Sequence, residues 1–325
     1  MQSATPPKTS PYRRNHRLRD AIGQALHDAM AADPSIHLFG EGCEVKIHYD
    51  APAIERDFPD RCHTLPISED GNVNFCVGAA LMGVKPVVDI ISADFLYRAM
   101  DSICNTAAKA NFARPDLPIT LVIRAEFLSG GPTTGQRPEA LFAHIPGLNV
   151  VIPSTPRDAY GLMWTALDTP GVTLFFEDRE IQDDLLSVAD QRLLSRIGFY
   201  ALERSHGNVT PDVTIVTYGL MRQVVEQAVP PDWNVDIIDL RCIWPLDFLE
   251  ILQSVRRSGK LLIVEPDVQF GGVGAEIVAQ VAERMPHVRV KRLGAPRSTT
   301  PASPALHDQM LPTDEEIIHA ITSDW

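Results

Sequence analysis

Cysteine is scarce and unpatterned in this chain. Its five residues, Cys43, Cys62, Cys76, Cys104 and Cys242, are an odd number and form no CxxC pair. Neither a disulfide framework nor a thiolate zinc site is indicated, and a reducing cytoplasmic setting is expected. No apolar run approaches the roughly 20 residues that cross a bilayer, and the opening MQSATPPKTSPYRRNHR has no hydrophobic signal core. Positive charge is also short: 29 Lys and Arg stand against 42 Asp and Glu, a formal net charge of -13. Nucleic acid and anionic membrane are therefore not expected as partners. The chain holds no G-x-x-x-x-G-K-[ST], no H-E-x-x-H and no G-x-S-x-G, so phosphate-loop, zincin and serine-hydrolase chemistry lack their signatures. Its ten histidines show no metal-ligand spacing. GGVGAEIV (271–278) approaches a dinucleotide loop but lacks the third glycine of that motif, and it reads better as a glycine turn that opens a helix.

What is present is α/β patterning in a chain of 325 residues with 45% hydrophobic composition, enough for two domains. Residues 18–32 carry Leu18, Ile22, Ala25, Leu26, Ala29 and Met30 near 3.6-residue spacing, which predicts an amphipathic helix stopped at Asp33-Pro34. Strands are expected at 36–41, 65–69, 85–92, 118–125, 148–154 and 172–177. An Ala/Gly-rich helix follows the Asp70-Gly71-Asn72 turn, a long helix is expected over 93–112, and another over 157–167. Such alternation predicts a mostly parallel sheet with helices on both faces. After a polar connector, strands at 212–219, 234–241, 260–266 and 288–294 alternate with helices near 221–228 and 247–257 and with a final helix starting near Gly274. These form a second, smaller α/β domain. The expected limits are a flexible tail at 1–16, a first domain at 17–185, a linker at 186–207 and a second domain at 208–325.

One acid invites a chemical reading. In LPISEDGNVNF, Glu69 falls at the expected carboxyl end of a buried parallel strand, where open α/β sheets place their ligand crevices. Taken alone, such a Glu reads as a helix cap or a surface acid.

Eight blocks of sequence change that weighting. RDAIGQALHDAM, HLFGEG, TLPISEDGNVNFCVGAALMGVKPVVDI, ADFLYRAMDSICNTAAK, EALFAHIPGLNVVIPSTPRDAYGL, DLRCIWPLD, LLIVEPDVQFGGVGAEIV and TPASPALHDQMLPT occur in this order from about residue 18 to 320. Together they resemble the beta subunit of the decarboxylating component of pyruvate and branched-chain 2-oxo acid dehydrogenases, within the transketolase superfamily. The resemblance implies a pyrimidine-binding domain, a transketolase C-terminal domain and thiamine diphosphate as cofactor. It implies that Glu69 bonds N1′ of the aminopyrimidine and relays a proton to it, for which burial would have to hold its pKa up. It further implies that Phe95 packs on the pyrimidine ring, that Ile91 supports the bent cofactor, and that Glu41, in FGEG, lies near the same cleft. For Ile91 plain core packing is the stronger reading, and Glu41 serves equally well as a structural hydrogen-bond partner.

Two departures from the family pattern matter. The Gly-Asp-Gly segment with which the superfamily ligates Mg2+ is missing. The resemblance therefore assigns no metal ligand to this chain and implies an alpha-type subunit that brings Mg2+, in an α2β2 assembly. The loop that reads G-P-Q-H-S-Q in dehydrogenases reads GPTTGQ here (131–136), with Thr134 in place of the His and Gln136 matching the final Gln. A threonine hydroxyl does not titrate near neutral pH, whereas an imidazole does. His144, in FAHIPG, matches a family position and reads as a buried hydrogen-bonding residue beside the loop. Three functions follow: a 2-oxo acid dehydrogenase subunit with a lipoyl acyltransferase as partner, a two-component transketolase-like carboligase, or a silent partner that stabilises an alpha chain.

Overall fold

The computed structural model describes residues 18–41, 52–128, 131, 133–178, 181, 202–204, 210–307 and 309–325. The expected tail at 1–16 lies outside the described residues, as does most of the expected linker. The chain divides into two compact units, Met1–Phe127 with Leu141–Gly198, and Leu128–Ala140 with Phe199–Trp325.

The first unit opens with α1 (Leu18–Ala32), β1 (Ile36–Glu41), α2 (Pro52–Asp57), a 3-10 turn (Pro59–Arg61), β2 (Cys62–Leu65), α3 (Glu69–Leu81) and β3 (Lys85–Ser92). It continues through a 3-10 turn (Ala93–Tyr97), a π-helical stretch (Ser102–Ala107), α4 (Ala110–Ala113) and β4 (Thr120–Phe127). After α5 (Glu139–Ala143) come β5 (Leu148–Val151), α6 (Pro156–Asp168) and β6 (Gly171–Asp178). Its strands run β5-β6-β4-β3-β1-β2, all parallel. Every residue of β4 is buried and β3 nearly so, the burial expected of strands covered on both faces. The apolar stripe of α1 forms as its spacing requires and is buried, and the Tyr160 hydroxyl of α6 donates to Asp28 Oδ2 of α1 at 2.9 Å.

The second unit contains β7 (Leu202–Arg204), β8 (Val213–Thr217), α7 (Leu220–Ala228), β9 (Val235–Asp239), β10 (Cys242–Trp244), α8 (Phe248–Ser258) and β11 (Lys260–Val268). It ends with α9 (Val273–Arg284), β12 (Arg289–Ala295), α10 (Pro304–His307) and α11 (Asp314–Thr322). The sheet order is β12-β11-β8-β9-β7, with β7 antiparallel to β9 and the other pairings parallel.

Three expectations need correction. The strand expected at 65–69 is β2, which ends at Leu65 and is only partly buried at the sheet edge; Glu69 instead begins α3. The long helix expected over 93–112 is broken into a 3-10 turn, a π-helical stretch and α4. Ser102 Oγ, inside that stretch, bonds back to the Ala99 carbonyl at 3.0 Å, competing with the regular backbone ladder. The helix near Gly274 is not the last. α11 follows, with Ile317 and Ala320 buried among Val213, Ile215, Met221, Val225, Leu262 and Val264. Its start carries a capping box between Thr313 and Glu316, a T-x-x-E signal visible in the sequence.

Candidate active site

The carboxyl ends of the parallel strands in the first unit carry a concentration of buried charge. Glu41 closes β1 and is 5% exposed. Its Oε1 accepts from the Ser68 backbone N at 2.9 Å and from Asn72 Nδ2 at 3.0 Å, so it fastens the residue before α3 and the first turn of that helix. Asn72 Nδ2 also donates to the Pro66 carbonyl at 3.0 Å. Burial raises the Glu41 pKa above the ordinary carboxylate value, as do the charges of Glu69 and Asp89, against the opposing effect of the two bonds it accepts. Glu41 thus lies close enough to both Glu69 and Asp89 to feel their charges.

Glu69 is the first residue of α3, where the helix dipole favours a negative charge. Its side chain is 8% exposed, and its Oε2 lies 3.5 Å from Nε of Arg98, a side chain that is 76% exposed. The backbone N of Arg98 donates to the carbonyl of Phe95 at 3.0 Å. Arg98 therefore ties Glu69 to the 3-10 turn that carries the half-buried Phe95.

Ile91 lies in a β-bulge, because Asp89 and Ser92 of β3 face Arg124 and Glu126 of β4 with one extra residue on the β3 side. Its φ is +67°, a left-handed conformation that costs a β-branched residue about 1–2 kcal/mol. Its side chain is partly exposed. Plain core packing, the stronger expectation for this residue, accounts for neither feature. The strain is held by a hydrogen bond from the Ile91 backbone N to Asp89 Oδ1 at 2.8 Å.

Behind this edge lies Arg124, 2% exposed, whose Nε donates to Glu177 Oε1 at 2.5 Å and whose Nη1 lies 3.7 Å from Asp89 Oδ2. Burial pushes Glu177 up to about 7, partly offset by the Arg124 guanidinium and reinforced by Glu126 and Asp89.

Of the remaining residues, Thr134, Gln136 and their loop neighbours belong to the other unit, and His144 to the first. Thr134 donates its backbone N to the Gly131 carbonyl at 3.2 Å in a tight turn. Gly135 follows with φ +128°, where a Cβ would meet the Thr300 methyl at 2.9 Å and the Leu128 carbonyl at 3.1 Å. Its carbonyl accepts from Thr300 Oγ1 at 3.1 Å. Gln136 is exposed, and Arg137 pairs with the buried Glu139 at 3.1 Å. His144 sits exposed on the turn after α5, which corrects the buried role expected of it: the α5 turn ends there and directs the residue outward.

Residues 15–182 match the model of the transketolase pyrimidine binding domain, and residues 205–317 that of the transketolase C-terminal domain. The chain is 33% identical over 331 residues to 2-oxoisovalerate dehydrogenase subunit beta 2, mitochondrial, of Arabidopsis thaliana, with 94% of this chain and 88% of that protein covered. It is 30% identical over 328 residues to acetoin:2,6-dichlorophenolindophenol oxidoreductase subunit beta of Cupriavidus necator, covering 92% and 94%. A solved split-gene transketolase, described as an inactive beta4 tetramer, superposes with a TM-score of 0.77 at 20% identity, covering 94% of this chain and 97% of that one.

The chain belongs to the beta-subunit family of thiamine-diphosphate-dependent 2-oxo acid dehydrogenases.

Within this family fold, the glycine segment 271–278 shows the plain role read for it. Gly272 caps α9, and the backbone N of Gly274 donates to Glu265 Oε2 at 2.9 Å, while Arg292 Nη2 holds Glu265 Oε1 at 2.7 Å. A buried carboxylate fills the helix start that a pyrophosphate would need. Several residues around these strand ends escaped sequence reasoning: Asn72, Asp89, Arg98, Arg124 and Glu177. A usable signal did exist, since Asp89 in VVDII, Arg124 in LVIRA and Glu177 in LFFED are charges set in apolar strand runs. A charge in such a run is expensive unless paired.

Proposed function

We propose that this chain is the beta-type subunit of a two-component thiamine-diphosphate enzyme, active in an α2β2 assembly whose alpha-type subunit supplies Mg2+ and the diphosphate ligands. One observation carries the reading: the buried carboxylate of Glu69 at the first turn of α3, tied through Arg98 to the turn bearing Phe95. Those residues suit an aminopyrimidine. Glu69 would hold a proton toward the pyrimidine nitrogen, Phe95 would offer the ring a flat apolar face, and Ile91, partly exposed on a strained bulge, would give the cofactor apolar support. Bound there, thiamine diphosphate supplies the electron sink for cleaving a bond beside a carbonyl carbon. Glu41 keeps Glu69 in place by fixing Ser68 and Asn72 on either side of it.

The substrate class is a 2-oxo acid or a ketose, and the 2-oxo acid dehydrogenase reading is favoured by the identity to named beta subunits of that class. A specific observation supports a second reading, a transketolase-like carboligase. Thr134 stands where dehydrogenases carry the loop histidine, which removes a titrating group from the step that delivers the unit to its acceptor. The chain should be co-purified with its alpha partner and assayed against a panel of 2-oxo acids and ketoses, first with a dye oxidant and then with a lipoyl domain. Donor-dependent dye reduction is expected, with slow lipoyl acylation. Efficient lipoyl acylation would remove the carboligase reading and restore a lipoyl acyltransferase as partner. No turnover of any donor by a cofactor-loaded complex would overturn both.

A further inference from the structure

Along the edge of β3 the backbone does something that its side chains do not favour. Ile91 is β-branched and holds φ +67°, a conformation that persists in such residues only where the surroundings enforce it. Two hydrogen bonds and one ion pair connect the buried groups beside it. The Ile91 backbone N donates to Asp89 Oδ1 at 2.8 Å, and Asp89 Oδ2 faces Arg124 Nη1 at 3.7 Å. The same guanidinium donates through Nε to Glu177 Oε1 at 2.5 Å. Asp89, Arg124 and Glu177 are 4%, 2% and 0% exposed, and they sit on the neighbouring strands β3, β4 and β6. In register, Asp89 faces Arg124, and Glu126 faces Glu177. The far oxygen of Glu177, Oε2, is buried without a hydrogen-bond partner, so on that side the chain of contacts stops at Glu177.

A buried acid–base–acid chain of this kind is costly to desolvate and is a poor source of net stability compared with apolar packing of the same volume. What it does supply is direction. Glu177 holds the guanidinium by a hydrogen bond, Asp89 faces it at 3.7 Å in an ion pair longer than a hydrogen bond, and the buried positive charge so placed favours the carboxylate that captures the Ile91 N–H. We propose that Glu177, Arg124 and Asp89 act as a positioning relay, anchored in the centre of the sheet, that locks Ile91 in its left-handed conformation and so sets the height and direction of the β3 edge leading to Phe95. The consequence for the cofactor rests on the reading given under Proposed function; the backbone lock does not.

Two substitutions separate a positioning role from ordinary core packing. Asp89→Asn keeps a side-chain oxygen for the Ile91 N–H, while Asp89→Ala removes it. Hydrogen exchange across residues 88–95 is measured on the full chain without cofactor, and thiamine diphosphate affinity is measured by calorimetry on the assembled complex. For Asp89→Ala, exchange should rise and affinity should fall by about tenfold each, the effect of losing one buried hydrogen bond, with Asp89→Asn staying within about threefold on both. Should Asp89→Ala not fold, the double substitution Arg124→Met with Glu177→Gln removes the hydrogen-bonded pair together and leaves Asp89 without the cation that faces it. It is expected to raise exchange over 88–95 in the same way. Unchanged exchange in that segment, in a variant that merely melts earlier, would overturn the relay. Raised exchange in a chain whose wild-type complex binds no cofactor would uphold the relay and sink the cofactor reading.

Discussion

Glu69→Gln is the perturbation that bears most directly on the proposed chemistry. The amide is nearly isosteric with the carboxyl, and the side chain is 8% exposed, so packing around the first turn of α3 is retained. Two favourable interactions are lost: the attraction between a carboxylate and the helix N-terminus, about 0.3–1 kcal/mol, and the 3.5 Å pair with Arg98, which is worth about 0–1 kcal/mol because Arg98 is solvated. Against these stands relief of repulsion, because the charge of Glu69 helps to raise the Glu41 pKa. A carboxyl whose pKa is raised on folding favours the folded state most in acid, and that contribution is lost as pH rises through the folded pKa. Removing the neighbouring charge lowers the Glu41 pKa, so the substitution recovers part of that loss at higher pH. The net change in stability should stay within about 1 kcal/mol, a melting shift of no more than about 4 °C. Proton exchange at C2 of the bound cofactor should behave differently. A positioned acid–base group contributes about 10²–10⁴-fold, and the variant should lose a factor in that range. Quenched-flow deuterium exchange on the assembled complex, read by NMR beside a thermal melt, measures both. Exchange at the wild-type rate in a stably assembled variant would refute the assignment of Glu69.

Three further outcomes are expected. Calorimetry on the isolated chain should show no Mg2+-dependent, micromolar binding of thiamine diphosphate, since the diphosphate and metal ligands are assigned to the alpha-type subunit; tight binding would contradict that division. Gly274→Ala places a Cβ 2.6 Å from Ile263 Cγ2 and 2.8 Å from Glu265 Oε1, in a packed contact between α9 and β11, and should cost about 1–3 kcal/mol in a urea melt; unaltered stability would mean that α9 can shift away without cost. The His37 and His63 rings share a 3.0 Å hydrogen bond between Nδ1 and Nε2, which requires at least one neutral ring. Burial foremost, then the His63 and Arg61 charges, lowers the His37 pKa; the unfolded chain then binds more protons, so this contribution is present above about pH 6.5 and declines as pH falls towards the folded pKa. Urea titrations between about pH 5 and 8 should show that decline flattened in His37→Gln, and an equal slope in both proteins would argue against it.

Much of the fold was legible in the chain because its signals are local. The 3.6-residue stripe of α1, the apolar runs of β3, β4, β6 and β11, and the turn residues between them each state their own structure within a dozen positions. The misplaced elements are those where tertiary or side-chain contacts outweigh local pattern. LPISE reads as a strand, yet β2 ends at Leu65, because Glu41 reaches across to bind the Ser68 N–H and Asn72 and so starts α3 at Glu69. The segment 93–112 reads as one helix, yet it is broken into a 3-10 turn, a π-helical stretch and α4, with Ser102 Oγ bonding back to the Ala99 carbonyl.

The site divides along the same line. Glu69, Phe95, Ile91 and Glu41 were nameable from residue order, since motifs are strings. The strain at Ile91, the tie through Arg98 and the buried chain from Glu177 to Asp89 were not, because their partners lie up to 53 positions apart and meet only when β3, β4 and β6 are laid side by side. Residue types and their order are written along the chain. The tertiary structure decided which buried charges pair, because desolvation makes every unpaired one costly and only the folded sheet brings the partners within reach.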